Sequence, residues 1–128
     1  MKVDSISVKQ NTNYNSRPTF GTIDIGQVET TLKKCLTFDE LTELQKVIEK
    51  EKNNKLVDLI LFSNNKGDKI QYARMCDSMD VRLINYRVKD YGRRWFEKPM
   101  NFINRMIEEM EKRKPIVEEL LKKQNFEF

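Results

Sequence analysis

The chain has 128 residues, of which 38% are hydrophobic and 34% are charged, and 24 basic residues against 20 acidic ones give a formal net charge of +4. This length supports one domain with one core. The longest apolar run, residues 59–62, is too short to span a bilayer, which needs about 20 residues. The chain has no histidine, which excludes the commonest general base and removes the commonest transition-metal ligand.

The N-terminal region is polar. Residues 1–19 are rich in Asn, Ser, Thr and Gln, which predicts a flexible or weakly ordered arm before a single α+β domain over residues 20–128. Short apolar alternation over residues 20–25 is compatible with an added edge strand. Because the N-terminus has no apolar signal region, we expect a cytoplasmic protein in which Cys35 and Cys76 are reduced thiols.

A helix is predicted to begin after Thr37. Thr37 and Glu40 have the spacing of a capping box, in which each side chain accepts a hydrogen bond from the other residue's backbone amide. Apolar residues then recur at helical spacing as far as Ile48, and residues 53–54, both Asn, indicate the end of the helix. An earlier helical turn over residues 28–35 places three apolar side chains on one face.

Three strands are predicted next. The first, residues 56–62, is apolar on both alternating faces, which is typical of a strand inside a sheet. Turn residues at 64–68 lead to a second strand over residues 70–76, and a short connection leads to a third over residues 81–88. Residues 89–92 are predicted to close the sheet. This order describes an antiparallel meander of three strands, or four if the arm adds one.

The C-terminal region predicts one long helix. Pro99 suits the first helical turn, where its missing amide is not needed. An apolar stripe runs from Phe102 to Leu121, and Pro115 within it predicts a kink or break near residues 112–114. The predicted fold class is therefore α+β, with one helix, the meander, and a long kinked C-terminal helix packed on one face of the sheet. The methionines of the stripe are either core or an adaptable partner surface.

No motif in the sequence indicates a catalytic or cofactor site. The chain has no glycine-rich phosphate loop and no cluster with metal-ligand spacing. Asp58 lies inside the most apolar strand, where a carboxylate either pairs with an arginine such as Arg74 or Arg82 or marks a functional site. The glutamates of the last helix alternate with basic residues as on a solvated face. We therefore predict no enzyme, no catalytic residue, no metal and no cofactor.

The segment from Arg82 to Lys98 carries the clearest binding signal. Its six cations against two acids supply an excess of +4, which equals the net charge of the whole chain. Cations bind phosphates and aromatic rings stack on bases, but the same residue types dominate protein interfaces. A third interpretation places Trp95 and Phe96 as a plug at the end of the sheet with the arginines in solvent. The candidate residues for binding a partner or nucleic acid are Arg82, Arg87, Tyr91, Arg93, Arg94, Trp95 and Lys98.

The order helix, three-stranded meander, helix over residues 37–123 resembles the double-stranded-RNA-binding domain in topology. That family carries a Gly-Pro-x-His-type loop between its first two strands, where this chain has the Asn-Asn-Lys-Gly-Asp of residues 64–68. The lysine cluster that opens the family's last helix is replaced by the Glu-Lys-Pro-Met of residues 97–100. Near the family's contact positions the chain has Arg93, Arg94 and Lys98.

We therefore expect a small non-enzymatic interaction protein that binds another protein or itself through residues 82–98 and the amphipathic C-terminal helix. The alternative is a nucleic-acid-binding module that uses the same basic aromatic segment. A net charge of +4 is a weak overall field, which favours the protein partner. We expect no membrane partner, because no segment is long and apolar enough to span a bilayer.

Overall fold

The computed structural model describes residues 23–78 and 84–126, with residues 125 and 126 described by their backbone alone. It confirms the α+β class. The predicted arm over residues 1–19 lies outside the described residues. The elements in chain order are β1 (Ile23–Asp24), α1 (Glu29–Cys35), α2 (Phe38–Glu51), β2 (Val57–Ser63), β3 (Ile70–Asp77), β4 (Val88–Gly92) and α3 (Pro99–Phe126).

The four strands form one sheet in the order β1-β2-β3-β4. Strands β2, β3 and β4 make the predicted antiparallel meander. The prediction of a wholly antiparallel sheet is wrong, because β1 pairs parallel with β2 and sets Ile23 beside Leu59. The reason is the connection: the chain passes through α1 and α2 before it returns as β2, and a crossover of this kind joins parallel strands.

The third predicted strand is wrong in position. Strand β4 begins at Val88 and contains residues 89–92, which the sequence assigns to the closing turn. Residues 84–85 form a turn, and residues 79–83 lie outside the described residues. Most of β4 is exposed, so its backbone pairing with β3 defines it and no buried stripe marks it in the sequence.

The core lies between the helices and one face of the sheet. Along β2 the buried residues alternate with half-buried ones, and the buried set forms one cluster with side chains from all three helices. This cluster includes the methionines of α3, which are therefore core residues. Five residues of this cluster, from α2, β2 and α3, are each at most 1% exposed: Leu44, Leu59, Leu61, Ile103 and Met106.

Helix α2 begins as predicted. The Glu40 amide donates to Thr37 Oγ1 at 3.1 Å, and the Thr37 amide donates to Glu40 Oε1 at 2.9 Å. The capping box is thus complete, and the helix ends at Glu51, two residues before the predicted asparagines. The earlier helical turn is also confirmed, as α1.

Helix α3 runs through Pro115 as one continuous element, so the predicted break near residues 112–114 is wrong, while a kink there stays a prediction. The two residues before the proline are held from other elements. Arg113 Nη2 lies 2.9 Å from an oxygen of Asp77, and Lys114 Nζ lies 2.9 Å from an oxygen of Glu51. Anchoring of this turn to the rest of the fold compensates for the hydrogen bond that the proline removes.

Candidate interaction site

The turn over residues 93–98 joins β4 to α3 and carries four of the seven predicted site residues. Two backbone hydrogen bonds define it. The Arg93 amide donates to the Gln71 carbonyl at 2.8 Å, and the Glu97 amide donates to the Arg94 carbonyl at 2.9 Å. The first bond extends the β3–β4 pairing by one residue, so the turn starts from a fixed position at the end of the sheet.

Arg93 holds the turn from inside. Its Nε donates to the Ile70 carbonyl at 2.8 Å, and its Nη1 donates to the carbonyls of Glu97 at 2.7 Å and Arg94 at 3.4 Å. Its Nη2 donates to Gln71 Oε1 at 3.3 Å. A guanidinium has five N–H donors, and most of these are engaged within the chain. The structure therefore shows that Arg93 stabilises the turn, and its binding role stays a prediction.

Glu97 fixes the far end of the turn to α3. Its two carboxylate oxygens accept from Arg105 Nε at 2.9 Å and Nη2 at 2.8 Å, and one of them also accepts from the Arg94 amide at 3.1 Å. Arg105 Nη2 donates in addition to the Gly92 carbonyl at 3.1 Å. Hydrogen bonds from the Arg105 side chain lower the pKa of Glu97 to about 2. This bidentate pair ties the start of the helix to the end of β4.

Trp95 and Phe96 lie between these two fixed points and face the solvent. Trp95 is 90% exposed and Phe96 is 66% exposed. Their rings pack edge to face, with centroids 5.5 Å apart and planes at 81°. They do not plug the end of the sheet, because rings with this much exposed surface are not buried against it. The turn thus presents an aromatic pair on a backbone that is held at both ends.

The cations of the predicted site are spread over the fold. Arg94 and Lys98 are exposed on the turn, but Arg87 precedes the other end of β4, roughly 20 Å away at about 3.3 Å per strand residue. Tyr91 is half-buried in β4. Arg82 lies outside the described residues. The predicted segment therefore follows one edge of the sheet and does not form a single compact patch.

Two lysines that the sequence analysis did not select lie at the same end of the sheet as the turn. Lys66 and Lys69 belong to the loop between β2 and β3, and they line a shallow cavity of about 440 Å³ together with Arg93. Gly67 allows the loop its left-handed residue, at φ 70°. The predicted meander already indicates that the loop of Lys66 and Lys69 lies near the turn over residues 93–98, because alternate turns of an antiparallel sheet lie at the same end.

Of the two arginines expected as possible partners of Asp58, Arg74 is engaged elsewhere and Arg82 lies outside the described residues. Arg74 donates to the carboxylate of Asp90 through Nε at 2.8 Å and Nη2 at 3.2 Å. Asp58 itself is half-buried in β2, opposite Cys76 of β3. The exposed pair of Arg74 and Asp90 joins β3 to the edge strand, and it lowers the pKa of Asp90.

Among the described residues, no group of three or more His, Cys, Asp or Glu could hold a metal ion. None of the helices in the described part of the chain has the length and apolar character needed to cross a membrane. Comparison of the chain with models of protein families, with curated proteins and with solved structures finds no match.

Proposed function

We propose that the protein is a non-enzymatic interaction module that binds a partner protein through the turn over residues 93–98. The observation that carries this proposal is the 90% exposure of Trp95 on a turn fixed by hydrogen bonds at both ends. Tryptophan and arginine dominate the few residues that supply most of the energy at protein interfaces. Trp95 and Arg94 are adjacent at the tip of the turn.

The hydrogen bonds of the turn support the proposal in a second way. Binding orders flexible groups at a cost, and a surface that is already ordered avoids part of that cost. Arg93 and Glu97 fix the backbone on either side of the aromatic pair before any partner arrives. A large exposed ring on such a backbone adds contact area with little loss of conformational freedom.

The C-terminal helix supports self-association less well. Most of its apolar stripe is buried in the core, and Leu120 and Leu121 pack against the core as half-buried residues. Ile116 is 48% exposed and is the large apolar side chain of α3 most open to solvent among the described residues. In the described part of α3, this one exposed isoleucine gives little apolar area for a helix-mediated dimer. We therefore assign the partner contact to the turn.

Selection from a random peptide library displayed on phage tests the proposal. The wild-type protein is the bait, and recovered clones are measured on the Trp95→Ala variant. Phe38→Ala is the matched control, because Phe38 is an aromatic residue with 81% exposure at the start of α2. We expect clones that lose binding to Trp95→Ala and keep it to Phe38→Ala. Failure to enrich any clone, or equal binding to both variants, would contradict the proposal.

Binding of nucleic acid is the second candidate, favoured by the four exposed cations at one end of the sheet: Arg94, Lys98, Lys66 and Lys69. A titration with mixed RNA and DNA at low salt tests it, with emission from Trp95, the single tryptophan of the chain, as the readout. Three or four phosphate contacts give a logarithmic salt slope of about −2 to −4. Micromolar binding with that slope would replace the protein partner as the proposed function.

A further inference from the structure

In the described part of the chain, β1 and β4 are the two edge strands of the sheet, and β4 pairs with β3 on one side only. In an antiparallel pair, residues that bond to the neighbouring strand alternate with residues whose backbone groups point away from it. The Asp77 amide donates to the Arg87 carbonyl, and the Arg93 amide donates to the Gln71 carbonyl. Residues 87, 89, 91 and 93 therefore bond toward β3.

The same alternation turns the backbone groups of Val88, Asp90 and Gly92 outward. The Gly92 carbonyl accepts from Arg105. Within the described residues, no turn, loop or cap hydrogen bond uses the backbone of Val88 or Asp90. Each of these two residues therefore offers one N–H and one carbonyl to another strand, with the correct spacing for pairing.

The side chains along this edge differ between its two faces. Lys89 lies opposite the buried Met75, so its side chain is on the face of the sheet that the helices cover. Arg87 is two residues earlier and therefore lies on the same face. Val88 stands on the other face and is 50% exposed. Asp90 shares that face, but its charge is balanced by Arg74. The edge is thus positive on the helix side and largely uncharged on the open side.

These charges argue against a second copy of the chain at this edge. Two copies of β4 paired about a two-fold axis at residue 89 or 90 set Lys89 against Lys89 or Asp90 against Asp90. Like charges directly opposite each other destabilise a strand pair. Lysine on an edge strand usually prevents such association. An acidic strand would be stabilised at this edge and not repelled, because its carboxylates would lie opposite the positive charges of Lys89 and Arg87.

We propose that an extended acidic segment of the partner protein pairs with the outer edge of β4 as a fifth strand. The segment alternates acidic residues, which face Lys89 and Arg87, with apolar residues, which face Val88. This inference rests on the proposed function, since β4 leads directly into the turn over residues 93–98 and one partner contacts both. Strand addition supplies affinity through the backbone and specificity through alternate side chains.

A capped peptide of about eight residues that alternates Glu and Val is the probe, because this length lies within the usual range of about 3 to 10 residues for a strand and exceeds the length of β4. The same peptide with Lys in place of Glu is the control. Trp95 lies three residues after β4, so its emission reports binding. We expect the Glu peptide to shift this emission to shorter wavelength and the Lys peptide to leave it unchanged.

Proline at position 88 tests the backbone contact itself. Val88→Pro removes an outward N–H and leaves the bonds to β3 in place, which an edge strand tolerates. We expect at least about tenfold weaker binding of the Glu peptide, because one carbonyl of the peptide loses its donor. Val88→Ala is the matched control, which keeps the N–H and stays within about threefold of the wild type, since it loses little apolar contact.

Thermal melting shows whether Val88→Pro is folded, and Lys89→Glu tests the charge contact independently. Lys89→Glu is expected to weaken binding of the Glu peptide and to allow binding of the Lys peptide. Equal binding to folded Val88→Pro and Val88→Ala would overturn strand addition, and so would no binding of the Glu peptide to the wild type at millimolar concentration. Phage clones that depend on Trp95 but not on the position 88 amide would overturn strand addition alone and leave the proposed function standing.

Discussion

Two regions of the molecule depend on a bidentate pair of an arginine and a carboxylate, and they differ in what the pair holds in place. In the turn over residues 93–98, Arg105 and Glu97 hold a loop whose tip exposes Trp95. At the other end of the sheet, Arg113 and Asp77 are almost completely buried and close the core around α3. The comparison shows that the backbone on either side of the exposed tryptophan is fixed by the fold, as the core around α3 is.

The next residue of α3, Lys114, is half-buried and pairs with the buried Glu51. We name these two ion pairs the buried ionic cluster: Glu51, Asp77, Arg113 and Lys114. Asp77 accepts from Arg113 Nε at 3.0 Å and Nη2 at 2.9 Å, and also from the Arg87 amide at 3.0 Å. Burial acts to raise the pKa of Glu51, but hydrogen bonds led by that from Lys114 outweigh it and lower the pKa. Every charge in this cluster has an opposite charge beside it.

Removal of one member of the buried ionic cluster is the change with the largest expected effect. Asp77→Ala leaves Arg113 buried without its counter-charge, which costs about 3 to 5 kcal/mol of unfolding free energy. Asp90→Ala is the matched control, because it breaks an exposed pair worth about 1 kcal/mol or less. Urea denaturation measures both. A loss of less than about 1 kcal/mol for Asp77→Ala would show that the cluster does not close the core.

The apolar half of the core predicts the next largest effect. Leu59 is fully buried on β2 between β1 and β3. Leu59→Ala removes apolar contact and leaves a cavity, so we expect a loss of about 2 to 5 kcal/mol in denaturant melts. A loss below about half a kcal/mol would contradict the placement of β2 at the centre of the core.

The pair in the turn predicts a dependence on pH. The pKa of Glu97 falls from the ordinary 4.5 to about 2 on folding, so its carboxylate stabilises the folded state above about pH 4.5. That contribution disappears as the pH falls through about 2. The stability gap between the wild type and Glu97→Gln is therefore largest near neutral pH and narrows under acid. Urea denaturation of both proteins from neutral pH to pH 3 measures this gap, and a gap that widens under acid would contradict the pairing.

Trp95→Ala predicts the smallest effect on stability. A side chain with 90% exposure contributes little to folding, so we expect a change within about 0.5 kcal/mol by urea denaturation. The contrast with Leu59→Ala separates a side chain that is exposed to solvent from one that is buried in the core. If Trp95→Ala instead costs more than 1 kcal/mol, as is typical of buried substitutions, the indole belongs to the core.

Local patterns predicted the parts of the fold that local physics determines. The capping box of Thr37 and the helical period that buries Leu44 are readable because each depends on residues a few positions apart. Strand β4 was misplaced because an edge strand exposed on most positions has no buried stripe. The parallel pairing of Ile23 with Leu59 depends on a crossover through two helices, so it cannot be predicted from residues that are close in sequence.

The candidate site shows the same division. The sequence identified Trp95 by its residue type and by its aromatic and basic neighbours. It did not show that Arg93 donates to three backbone carbonyls, because the direction of a guanidinium depends on the folded turn. Lys66 and Lys69 were missed because the loop that carries them is distant in sequence from residues 82–98.

In the proposed function, the turn over residues 93–98 binds protein through its aromatic tip. Calorimetric titration of the strongest selected peptide against the wild type, Trp95→Ala and Arg94→Ala tests it most directly. Trp95→Ala is expected to weaken binding by about 30-fold or more, as truncation of an interface hot spot does. Arg94→Ala is expected to weaken it less, because the indole buries the larger apolar area. Equal affinities for the wild type and Trp95→Ala, or a larger loss with Arg94→Ala than with Trp95→Ala, would contradict the claim.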